Sequence, residues 1–63
     1  MMYIVRFVRK DGKADEEYYY QSLNDAEYHF HLFDNDDSGL YKWIMLESHI
    51  ADQAHDIKKH SFE

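Results

Sequence analysis

The sequence predicts a small α+β domain: a ββαβ unit with a three-stranded antiparallel sheet in the order 2-1-3, one helix packed on one face, and a short second helix near the C-terminal end. Three observations predict it. The run "MMYIVRFVRK", rich in β-branched and aromatic residues, is followed by Asp11-Gly12, a dipeptide that favours hairpins because both residues tolerate positive φ. Leu23, Ala26, Phe30 and Phe33 recur at spacings of three and four, the period of one helix face. "LYKWIMLES" is almost continuously apolar, as a strand covered on both sides is.

The first strand spans about residues 2–10. With Asp11 and Gly12 as the two turn residues, the returning strand covers about residues 13–21. The register then sets Tyr3 opposite Tyr20, Ile4 opposite Tyr19, Val5 opposite Tyr18 and Phe7 opposite Glu16. Arg6 faces Glu17, an opposite-charge pair worth a few tenths of a kcal/mol (~0.2–1). Ser22 and Asp25 form a weak variant of the capping box, with Asn24 as an alternative cap. They open a helix over about residues 23–33, which Asp34 to Gly39 end. The third strand spans about residues 40–47. In the tail, Ile50, Ala54 and Ile57 fit a helical stripe over about residues 50–59, with Lys58, Lys59 and His60 suited to the negative end of a helix dipole. The last residues are expected to fray.

A crossover helix makes strands two and three parallel to each other, so strand one lies between them and antiparallel to both. Tyr3, Val5, Phe7, Tyr18 and Tyr20 share one face, the better match for the helix. Ile4, Val8 and Tyr19 share the other with Arg6 and Glu17. Strand three divides Tyr41, Trp43 and Met45 from Ile44 and Leu46, and its pattern alone leaves open which set meets the helix.

The 63 residues make a single domain, 1–63, and a chain of this size buries only ~60% of its unfolded surface. It contains no cysteine, which removes disulfides and thiolate metal sites. No apolar run is long enough to span a membrane, no signal peptide precedes the first strand, and the expected location is cytoplasmic. The net charge of −6 opposes direct nucleic-acid binding through phosphate neutralisation. The run Tyr18-Tyr19-Tyr20 resembles a base-stacking platform, but such platforms sit in basic grooves, and here Asp15, Glu16 and Glu17 precede it.

Other residues invite chemical readings. Asp34, Asp36, Ser38 and Gly39 fill positions one, three, five and six of a calcium loop, yet position twelve, which needs a bidentate glutamate, is Met45. Asp and Asn also favour plain turns, the reading preferred here. His29 and His31 are two apart and diverge on a helix. His49, Asp52, Asp56 and His60 would line one side of a C-terminal helix, where imidazole and carboxylate ligate zinc or nickel; a solvated polar face, with Asp56–His60 as an i,i+4 pair, is the preferred reading. No metal ligand set, cofactor site or catalytic residue is assigned. With two glycines, no cysteine and no serine elbow motif, an enzyme is not expected.

The leading expectation is a small, acidic, non-enzymatic protein–protein interaction module, with a homodimer as one version. Tyr28 and Leu32, four apart, lie roughly opposite the Leu23/Phe30 stripe, so the helix has a second apolar side. The expected partner-binding residues are Ile4, Tyr19, Tyr28, Leu32 and Trp43, and the partner is a second copy or another protein. Two alternatives stand beside it. One is an acidic nucleic-acid mimic that blocks a basic DNA- or RNA-binding protein through Asp15, Glu16, Glu17, Asp34, Asp36 and Asp37. The other is a divalent-metal module.

Overall fold

The computed structural model describes the whole chain, Met1–Glu63. Its elements are β1 (Met2–Arg9), β2 (Glu16–Tyr20), α1 (Leu23–Leu32), β3 (Tyr41–Ile50) and β4 (Gln53–Ser61). They form one helix and a four-stranded antiparallel sheet in the order β2-β1-β3-β4. The order 2-1-3 stands, with a fourth strand added beyond β3.

The β1–β2 register pairs Tyr3 with Tyr20, Ile4 with Tyr19, Val5 with Tyr18, Arg6 with Glu17 and Phe7 with Glu16, as the hairpin signal requires. The turn itself is wider than two residues. Only Gly12 takes positive φ, at 78°, whereas a two-residue type I′ turn needs both central residues there. Pairing stops at Glu16, so β2 is five residues long and not nine. Arg9 explains the early stop. Its guanidinium donates to Asp11 Oδ2 at 2.7 Å and to Glu16 Oε2 at 3.0 Å, which gathers the loop around one cation while Arg9 itself pairs with Tyr41 of β3.

Val5, Phe7, Ala26, Phe30, Ile44 and Leu46 form the buried core, with Tyr3, Tyr20, Leu23, Phe33, Tyr41 and Phe62 packed around it. Ile44 and Leu46 therefore face the helix. A bulge between Val8 and Arg9, opposite Trp43 and Tyr41, explains why Tyr41 departs from the alternation. Trp43 stays on the far face, while the Tyr41 ring lies 5.1 Å from that of Phe7 on the helix face. Helix α1 starts after Ser22, whose side chain makes no cap hydrogen bond. The expected capping box is absent, and Asp25 in the first turn meets the positive end of the dipole instead.

Residues 50–59 are not a helix. Ala51 and Asp52 take φ of 50° and 65°, and this two-residue turn sends the chain back along β3 from Gln53. The physical reason lies in β3. Without a neighbour, the ten-residue β3 would expose one full row of unpaired backbone groups, and β4 satisfies them. The three-residue apolar stripe offers a helix little by comparison, and Ile50 and Ile57 end 46% and 41% exposed. Nor does the end fray. The Phe62 N–H donates to the Lys42 carbonyl at 2.9 Å, and its ring packs against the core.

Two substitutions test this fold through urea denaturation. Ala51→Gly should stabilise by about 0.5–1 kcal/mol, because glycine holds positive φ without penalty; in a helix the same change would destabilise by about 1 kcal/mol. Phe30→Leu, which shrinks the largest helix contribution to the core, should destabilise by about 1–2 kcal/mol, whereas full truncation to alanine, about 3–5 kcal/mol, should leave little folded protein.

Candidate functional site

The expected contact residues do not form one patch. Tyr28 and Leu32 lie on the outside of α1, 69% and 60% exposed. Tyr19 and Trp43 lie on the opposite side of the molecule, on the sheet face away from the helix. There they are separated by β1, with Tyr19 opposite Ile4 and Trp43 opposite Val8. Tyr19 is 57% exposed. Trp43 is half-buried and carries the Lys59 ammonium 4.3 Å above its ring, a cation–π contact that shields it. Ile4 is 4% exposed, so it has almost no surface to offer. It sits in a central strand between Tyr19 and Glu47, where neighbours on both sides cover it.

The far face is organised by charge. Arg6 Nε donates to Glu47 Oε2 at 2.9 Å and Arg6 Nη2 to Oε1 at 3.4 Å. Arg6 Nη1 meets Glu17 at 2.5 Å and stands 3.9 Å from Asp15. One guanidinium thus ties β1 to both of its neighbours. Glu47 is 4% exposed. Burial alone would push its carboxyl up, but the hydrogen bonds from Arg6 and His49 outweigh burial and hold it below its ordinary range. The sequence pairs Arg6 with Glu17; the stronger partner is Glu47, which only the β1–β3 register could reveal.

On the helix side, His29 is inserted among aromatic rings. Tyr18, Phe7, Phe33 and Tyr20 have centroids 4.8 to 5.7 Å from its own. Its Nδ1 lies 2.6 Å from the Tyr20 hydroxyl, and burial lowers its pKa. Tyr18 remains 41% exposed at the sheet edge. The hydroxyls of Tyr18 and Tyr19 donate to Glu16 and Glu17, so carboxylates accompany both exposed tyrosines where a base-stacking platform would carry cations.

In the helix–strand loop, Asp36 Oδ2 accepts from the Ser38 backbone N–H at 3.3 Å and from its hydroxyl, and Gly39 takes φ of 76°. This is a side-chain-supported turn. His49, Asp52, Asp56 and His60 do not share a helix side, because they lie on β3, in the turn and on β4. No three histidine, cysteine, aspartate or glutamate side chains gather anywhere as a metal-ligating group. One cleft of about 560 Å³ opens at the start of β1, lined by Met1, Met2, Gln21 and His49. It brings together no nucleophile with a base. No helix is long and apolar enough to cross a membrane.

Comparison with protein-family models, curated proteins and solved structures returns no match. Geometry and side-chain chemistry therefore carry the functional reading.

Two titrations follow. Glu47 is held low in the fold, so its contribution is full above the ordinary carboxylate range and is lost as pH falls through it. Arg6→Leu leaves Glu47 buried without its cation and should destabilise by about 2–4 kcal/mol at pH 7; stability measured by urea should then rise on acidification toward pH 5, where the wild type does not gain. His29 prefers the neutral form, so its contribution is full above the unperturbed value of about 6.5 and is lost as pH falls below it. A melting temperature that drops between pH 7 and 5.5 should become flatter in His29→Phe.

Proposed function

We propose that this protein is a small, non-enzymatic interaction module that docks another protein through the outer side of α1, centred on Tyr28 and Leu32. The exposure of these two residues, four apart on one side of a helix whose other side is core, supports the reading. Isolated exposed apolar residues are ordinary; a pair stacked along a helix is the usual form of a helix-borne contact.

Charge indicates the kind of partner. Around the helix and its exit stand Asp25, Glu27, Asp34, Asp36 and Asp37. Their nearby counter-charge is Lys58, 3.3 Å from Glu27. Packing two copies helix to helix would bring these acids together, so a partner with an apolar patch rimmed by lysine or arginine fits better than a second copy. The acidic-mimic alternative gains less from the geometry. Asp15 and Glu17 face Arg6, and Asp11 and Glu16 face Arg9, so each of these hairpin carboxylates already has a guanidinium of its own fold beside it.

The sheet edges are poor docking sites. β2 is short and acidic, and β4 carries Lys58 and Lys59 and a register shift beside Ile57, features that discourage strand addition.

The test is comparative. Tyr28→Ala/Leu32→Ala removes exposed side chains and should leave stability within about 0.5 kcal/mol. Bait protein with and without the double change, incubated with lysate at low and high salt, should differ in a discrete retained protein that only the wild type holds. Purified and titrated calorimetrically, that protein should lose at least about tenfold in affinity for the variant, the effect expected of an anchor worth more than 1 kcal/mol. Equal binding to both baits overturns the proposal, and so does sedimentation showing a wild-type homodimer that the double change dissolves.

A further inference from the structure

We propose that Tyr20 and His29 form a redox-active pair: Tyr20 gives up one electron to a diffusible radical oxidant, and its phenol proton passes to His29 Nδ1 in the same step. The Tyr20 hydroxyl lies 2.6 Å from Nδ1, at the short end of the hydrogen-bond range. Burial keeps the imidazole in its neutral form, with one ring nitrogen protonated and the other free to accept. Nε2 has no partner in the fold, and no buried polar side-chain atom lacks one, so Nε2 opens to water. The ring proton therefore sits on Nε2, where water accepts it, and the lone pair sits on Nδ1, where Tyr20 donates.

The pairing matters because a phenol that loses an electron becomes a very strong acid. Its electron leaves readily only where a base takes the proton at once. Here the phenol O–H bond breaks, an Nδ1–H bond forms, and the products are a neutral tyrosyl radical and an imidazolium. The oxidant gains the one electron. When a reductant returns an electron to Tyr20, the proton goes back to the phenol oxygen. The rings of Phe7, Tyr18 and Phe33 pack around the imidazole and shield the pair on the core side.

The other oxidisable groups of the chain are less well placed. There is no cysteine, the side chain that would otherwise yield an electron first. Trp43 carries the Lys59 ammonium 4.3 Å above its ring, and that charge opposes the cation its oxidation would create. Tyr18 and Tyr41 donate to Glu16 at 3.1 and 3.3 Å. These are longer contacts, made to a carboxylate, an intrinsically weaker base than imidazole. Tyr19 meets Glu17 at 3.4 Å, and the Tyr3 hydroxyl donates to a thioether. Tyr28 stands in water.

Photogenerated tris(bipyridine)ruthenium(III) is the probe oxidant, with tyrosyl radical followed by transient absorption near neutral pH. Tyr20→Phe, which removes only the hydroxyl, should slow radical formation at least about tenfold, and so should His29→Phe, within the ~10²–10⁴-fold that a positioned base supplies. Tyr19→Phe should leave the rate unchanged. Wild-type formation should slow in D₂O and stay independent of buffer-base concentration, whereas the slow oxidation left in His29→Phe should rise with buffer base. In the unaltered protein, the ¹⁵N resonances of His29 should show the Nε2–H tautomer. Equal rates in wild type and His29→Phe, a first radical on Trp43, a wild-type rate that rises with buffer base, or an Nδ1–H tautomer overturns the pair.

Discussion

The Arg6–Glu47 fork sits at the centre of a sheet face that no second layer covers. One ten-residue helix can roof only the opposite face, where Val5, Phe7, Ile44 and Leu46 meet Ala26 and Phe30. The far face carries Ile4, Val8, Trp43 and Met45 as well, and a chain this short has no further element to lay over them. Long charged side chains do that work. Arg6 spans three strands through Glu17 and Glu47, and Lys59 lies over Trp43. Their alkyl stems cover apolar surface while the charged ends remain paired or wet. The cost is a carboxylate with 4% exposure, tolerable only while its cation is present.

That arrangement determines where surface remains for a partner. The centre of the far face is closed from within, as the burial of Ile4 records, while Tyr19 at its edge stays 57% exposed. The sheet edges are guarded by charge and irregular register. The outer side of α1 has no such cover: Tyr28 and Leu32 project from a helix whose remaining apolar residues are committed to the core.

Much of the architecture was legible in the residues. The Val/Ile/Phe run of β1, Asp11-Gly12 and the Leu23–Phe33 spacing are local signals, and the β1–β2 register and 2-1-3 order follow from them. The failures share one cause. The Ala51-Asp52 turn has no hairpin signature, since alanine at positive φ is uncommon, and β4 forms because β3 needs a neighbour, a demand made by distant residues. Alternation groups Trp43 with Tyr41, and a bulge opposite them breaks it. The exposure of Tyr28 and Leu32 on the outer side of α1 is readable from helical period alone. The burial of Ile4 is not readable locally, because its cover comes from Glu47, a partner far along the chain.

Amide hydrogen exchange at Ile4, Arg6 and Glu47, recorded at tens of micromolar and again near millimolar protein, tests the self-closed far face most directly. The account predicts slow exchange, with the same protection at both concentrations and in step with global unfolding measured independently. Protection that appears only in the concentrated sample would contradict it, because the face would then be covered by a second copy and not by its own charges.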